Sequence, residues 1–180
     1  MDLKEAWRNP VSLTFKLFCI VAFASIATPS RGEDAAVDAL RAGIEGIYVL
    51  KEWHRNGQVL RPPLVDARTV LLNGRIMFIS RYAAQEPNKM TMAGYGMYIL
   101  EPGKFSYRYE GFSVVTQTAN GTYVSEKVPW EGLKTFAASI ENNEVRFRAT
   151  NGPEEFRFNK DGMSYSDGTQ KRVYQRVSDK

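Results

Sequence analysis

The chain has 180 residues, 43% hydrophobic and 24% charged, with a mean hydropathy of -0.36, values ordinary for a soluble globular protein of one domain. Its formal charge of +4 and pI near 9.2 come from Lys and Arg interleaved with Asp and Glu. There is no run of five like charges, which argues against a nucleic-acid-binding stripe.

The first segment sets an expected compartment. Lys4, Arg8 and Lys16 precede an uncharged stretch from Leu17 to Ala27. That run is too short for a bilayer core of roughly 30 Å, which takes about 20 helical residues. It suits the apolar region of a secretory signal peptide, with Ser25 and Ala27 as the small residues before a cut at Thr28. Residues 1–27 are therefore expected to be a signal peptide that directs the protein to the periplasm or the medium. No stable membrane insertion is expected after cleavage; an uncleaved anchor is the alternative. Cys19 is the only cysteine and follows the bulky Phe18, which argues against lipidation. The mature chain then has no disulfide and must be held by a packed core.

Residues 28–43 read as a linker and a short helix, acidic at Glu33 and Asp34, alanine-rich and closed by Gly43. From Ile44 the helical period ends and turn signals recur every 8–12 residues. Ile47 to His54 is the first strand, ended by Asn56-Gly57. Gln58 to Ala67, with Pro62 and Pro63, reads as loop. Asn73-Gly74 predicts a type I′ hairpin between Thr69–Leu72 and Arg75–Tyr82. Gln85 to Met92 reads as a polar connection. Further strands fall at 93–100, 105–111, 112–118, 123–128, 135–140, 144–149, 155–158, 163–166 and 172–177. Nearly every connection is too short for a parallel crossover. The expectation is an all-β domain over 44–178, an antiparallel up-and-down barrel of about 8–10 strands with a short N-terminal helix. A two-sheet sandwich is the alternative.

Gly46-Ile47-Tyr48, just after a short helix, resembles the first barrel strand of lipocalins and lipocalin-like bacterial domains. Tyr48 stands where that family carries Trp, and Arg172 or Arg176 on the last strand stands where it carries a base over the aromatic. Tyr95-Gly96 within Ala93–Tyr98 is similar to a Tyr-x-Gly-x-Tyr strand of the bacterial group. The resemblance spans residues 40–178 and implies a barrel closed at one end that binds a small hydrophobic or amphipathic molecule.

The residues that could carry such binding are aromatic. Phe105, Tyr107 and Tyr109 share one strand face, and Phe147, Phe156 and Phe158 alternate with arginines. They predict either an aromatic core or a pocket whose phenols meet a ligand's polar end. The candidate ligand-binding residues are Tyr48, His54, Phe78, Tyr98, Phe105, Tyr107, Tyr109 and Phe147. By alternation from Tyr48, His54 and Glu52 are expected on the inner face near the open mouth, where they could form an acid–base couple. Arg81 could anchor a carboxylate from inside or lie outside, and Trp53 and Trp130 could guard the rim or plug the core. No nucleophile elbow, P-loop, dinucleotide fingerprint or calcium loop is present, and one histidine makes a poor metal site. No catalytic residue, metal or cofactor is therefore assigned. A barrel isomerase or cyclase using Glu52, His54 or a tyrosine, and a solid barrel that binds another protein, are the alternatives.

Overall fold

A computed structural model describes residues 31–85, 88–127 and 132–177. The expected signal peptide with Cys19, the start of the linker and Trp130 lie outside the described residues.

Helix α1 (Arg31–Ile44) opens with Glu33 and Asp34 and ends with Arg41, charges that oppose its dipole at both ends. It begins inside the expected linker and passes Gly43 by one residue. Leu40 and Ile44, four apart, are its buried stripe. The helix packs against strands at one end of a barrel.

Twelve strands follow: β1 (Gly46–Arg55), β2 (Gln58–Leu60), β3 (Val65–Leu72), β4 (Arg75–Gln85), β5 (Asn88–Glu101), β6 (Lys104–Thr118), β7 (Gly121–Lys127), β8 (Lys134–Glu141), β9 (Glu144–Ala149), β10 (Glu155–Phe158), β11 (Gly162–Ser166) and β12 (Gln170–Arg176). Ten of them close a ring in the order β12-β11-β10-β9-β8-β6-β5-β4-β3-β1, with β12 pairing back onto β1. Every pairing is antiparallel. The all-β barrel with a short helix is thus the fold. β2 adds to β1, and β7 pairs only with β6, so β6 also reaches past it to β8.

The turns explain why the chain doubles back where it does. Asn56-Gly57 and Asn73-Gly74 all have positive φ, between 49° and 74°, the geometry of a type I′ hairpin that matches the twist of the flanking strands. Asn142 and Asn143 take the same region.

Four segments differ from expectation. Residues 58–60 form β2 instead of loop, because Val59 and Leu60 pair with His54 and Trp53. Residues 65–67, also expected as loop, open β3, where they pair with Tyr82, Arg81 and Ser80. Residues 88–92 belong to β5, since Asn88 pairs with Gln85 and residues 89–92 pair with 114–117. The two strands expected over 105–111 and 112–118 are one strand, β6, bent where Tyr95 pairs with Gly111 but Gly96 with Tyr109. That leaves Glu110 as an extra, bulged residue. Bulges bend a strand without ending it.

A second bulge has greater consequence. On β1, Leu50 pairs with Tyr174 and Glu52 with Val173, so Lys51 is the extra residue. Alternation inverts there: Tyr48, Leu50 and Trp53 are buried, while Glu52 and His54 face outward. The expected inner placement of His54 and Glu52 is corrected accordingly.

Candidate functional site: a helix-capped barrel lumen

One end of the barrel is stoppered. Tyr48 is fully buried, and its hydroxyl donates to the Ile44 carbonyl at 2.7 Å. The Arg176 guanidinium sits 5.6 Å from the Tyr48 ring centroid and donates to the carbonyls of Gly43 and Glu45. It satisfies carbonyls left open at the helix C-terminus and adds a cation there, both stabilising. The Glu45 carboxylate accepts from the Asn73 amide at 2.8 Å and from the Tyr98 hydroxyl. Of the two bases expected over Tyr48, Arg176 takes the position and Arg172 does not.

Beside this base lies a solid aromatic packing. Phe105 and Phe147 stack with centroids 4.2 Å apart and planes 3° from parallel. Phe136 and Phe158 are buried against them. Tyr48, Tyr98 and Phe147 therefore belong to the packed base and core.

Beside this packing the interior holds a cavity of about 240 Å³, partly open to solvent, that lies against the inner faces of most strands. Its wall takes Thr69 and Leu71 from β3, Ile76 and Phe78 from β4, and Met92 from β5. Phe105, Tyr107, Tyr109 and Phe112 come from β6, and Phe156 and Phe158 from β10. Met163 and Tyr165 on β11, Gln170, Arg172 and Tyr174 on β12, and Lys134 on β8 complete it. Gly94 helps to keep it open: a Cβ there would press into the Phe78 and Phe112 rings. At Gly96 a Cβ would strike the Arg108 carbonyl, so the two strands can approach only through glycine.

The lumen presents neutral phenols and one cation, Arg172, that has no carboxylate partner among the described residues. Burial pushes the Tyr107, Tyr109 and Tyr165 hydroxyls well above the usual phenol range. Burial also raises Tyr174, with the nearby Arg172 charge opposing part of the effect. These groups stay protonated and can exchange hydrogen bonds with a ligand. Arg172 lies with its guanidinium 4.1 Å from the Trp53 ring centroid. Its buried Nε has no hydrogen-bond partner among the described residues.

Trp53 itself is 1% exposed and donates from Nε1 to Gln170 Oε1 at 2.7 Å. Gln170 Nε2 in turn donates to Asp167 Oδ2 at 2.7 Å. Burial tends to raise the Asp167 pKa, but hydrogen bonds from Gln170 and Thr169 outweigh it and leave the carboxyl below its usual range. This chain orders the β11–β12 turn over Trp53, which plugs the interior.

Four of the expected ligand-binding residues therefore meet the cavity: Phe78, Phe105, Tyr107 and Tyr109. Tyr48, Tyr98 and Phe147 are buried away from it. His54 is outside the barrel, its Nε2 3.0 Å from Glu52 Oε2. Arg61 grips the other Glu52 oxygen at 2.6 Å, and these hydrogen bonds hold the Glu52 carboxyl below its usual range. Arg81 is exposed with Met77 and Ile79 on the outer face. The lumen residues Phe112, Tyr165, Gln170, Tyr174 and Arg172 were not among the sequence candidates. The parity of β12 carried a signal, since Arg172, Tyr174 and Arg176 alternate with Lys171, Val173 and Gln175.

Fold and site together define a closed ten-stranded antiparallel barrel, stoppered by a helix and hollow beside its aromatic core. No family model, curated protein or solved structure matches the chain. Among the described residues, no three His, Cys, Asp or Glu side chains cluster to hold a metal, and no helix is long and apolar enough to cross a membrane.

Proposed function

We propose that this protein is an exported, lipocalin-like carrier that holds a small hydrophobic or amphipathic molecule in the barrel lumen without transforming it. The observation that carries the reading is the cavity itself, about 240 Å³ within an aromatic wall. A few polar groups interrupt that wall, the composition of a site that takes an apolar body and orients one polar end. Export rests on the charged-then-apolar pattern of residues 1–27. Against the acid–base couple read from the sequence stands the outward position of Glu52 and His54.

The test is native mass spectrometry of the protein purified gently from an exporting host, followed by organic extraction of anything bound. The reading expects a reproducible small-molecule adduct and an N-terminus at Thr28. A clean apo mass, with no uptake of a fluorescent fatty-acid probe, would shift the account to a protein-binding module. That second reading has its own observation: Ile47, Met77 and Tyr95 lie in register with Val70 across the outer face, each 43% or more exposed.

A further inference from the structure

We infer that the lumen ligand is a small organic monoanion, a carboxylate with a short apolar body, and that Arg172 is its counter-ion. The inference rests on the lumen-binding reading above and adds the ligand's chemical class.

The two inward arginines of β12 have different partners. Arg176 is employed in the fold, bonded to the Gly43 and Glu45 carbonyls at the barrel base. Arg172, four residues earlier, pairs in register with Trp53 and Tyr165, toward the end of β1 remote from the helix. It lines the cavity. Around it are aromatic faces: Trp53, and Tyr165 at 5.9 Å. No carboxylate of a described residue lies within salt-bridge distance of it, and its buried Nε donor is unmatched. A buried donor without an acceptor is costly, and native structures rarely leave one without a reason.

The acids that approach the site are already committed. Glu154 accepts from Lys134 at 3.0 Å, and that pair supplies the other lining cation with its own counter-ion. Asp167 accepts from Thr169 and from both the backbone and side chain of Gln170. Among the described residues, the lumen therefore holds one cation without a carboxylate partner, beside apolar volume. A guanidinium presents a planar fork that fits a carboxylate through two parallel bonds. With one cation available, a single negative charge is the match, and the rings beneath Arg172 fix the fork's plane.

Size narrows the class further. A cavity of about 240 Å³ corresponds to roughly eight water-sized groups, at about 30 Å³ each. That accommodates a carboxylate with a medium-length alkyl chain or one aromatic ring.

The experiment is calorimetric titration of the folded protein with octanoate, 1-octanol and octylamine, which share a tail and differ in headgroup. Octanoate should bind about ten- to about a hundredfold more tightly than 1-octanol, the range of one charge-assisted bond pair. Octylamine should bind most weakly. Arg172→Met keeps the apolar stem over Trp53 and should abolish the preference for octanoate over 1-octanol. Arg172→Lys should restore part of it. The wild-type series needs no variant, so a misfolded Arg172→Met protein leaves the inference exposed to test. Equal binding of octanoate and 1-octanol would overturn the inference, make Arg172 a solvated cation only, and leave lumen binding standing. Retention of the preference in a folded Arg172→Met variant would overturn it likewise. No binding of any of the three would overturn both readings.

Discussion

Leu50 and Trp53 both point into the barrel although they lie three positions apart, because Lys51 is bulged out of the β1–β12 ladder. In an unbroken strand the interior partners would be Leu50, Glu52 and His54. The bulge exchanges a carboxylate and an imidazole for an indole, and places Trp53 where Arg172 and Gln170 can meet it. Deleting Lys51 should remove the bulge and leave Leu50, Glu52 and Trp53 in regular alternation against Tyr174, Val173 and Arg172, with Trp53 still inward. The expected result is a folded protein whose tryptophan emission stays that of a buried indole; an unfolded protein or solvent-exposed emission would contradict the assignment of Lys51 as the extra residue.

This residue also shows where the sequence stops being legible. The Asn-Gly turns and period-two runs announce hairpins, since each is decided by neighbours in the chain. The barrel follows, because consecutive hairpins leave two edges that closure removes. A bulge is decided by the partner strand, and β1 contains no glycine or proline after Gly46 to mark one. Plain alternation from Tyr48 therefore turns His54 to the wrong face and cannot decide between rim and core for Trp53. Parity before the β6 bulge is readable and turns Phe105, Tyr107 and Tyr109 inward, whereas the bulge hides the same reading for Phe112. Whether the aromatics close on each other or leave space depended on Gly94 facing the Phe78 and Phe112 rings, a relationship between three strands.

Phe147 tests the division between solid base and hollow lumen. It is 0% exposed, stacks on Phe105 and does not line the cavity. Phe147→Ala should cost about 3–5 kcal/mol in urea unfolding. Tyr109→Phe, a lumen change of one hydroxyl, should cost far less and act chiefly on ligand affinity. The opposite ranking would mean that the two regions have been exchanged.

Alkaline pH should destabilise the barrel base before any covalent damage. Burial pushes the Tyr48 hydroxyl from 10.0 up to about 12, with Arg176 opposing the shift. Below pH 10 the phenol is neutral in both states, so it adds no pH dependence. Between about pH 10 and 12 the unfolded chain ionises while the folded one keeps its proton, so stability falls as pH rises. The loss from Tyr48 should reach about 2–3 kcal/mol at pH 12. Thermal melts across this range should show it, and Tyr48→Phe should flatten that share of the profile.

His54→Ala should be nearly silent. The imidazole is outside the barrel, its bond to Glu52 is partly solvated, and Arg61 holds the same carboxylate. Melting should stay within about 2 °C of wild type, as expected for surface ion pairs, and probe affinity should not change. A marked loss of binding would place the ligand against the outer face of β1.

The central claim is that a small amphipathic molecule enters the lumen, and the methionines report on it directly. Met92 and Met163 line the cavity, whereas Met77 is 48% exposed on the outer face. In protein labelled with carbon-13 at the methionine methyls, NMR titration with octanoate should shift the Met92 and Met163 signals in a saturable way and leave Met77 in place. Movement of Met77 alone, or no saturable shift at Met92 and Met163, would contradict a ligand in the barrel.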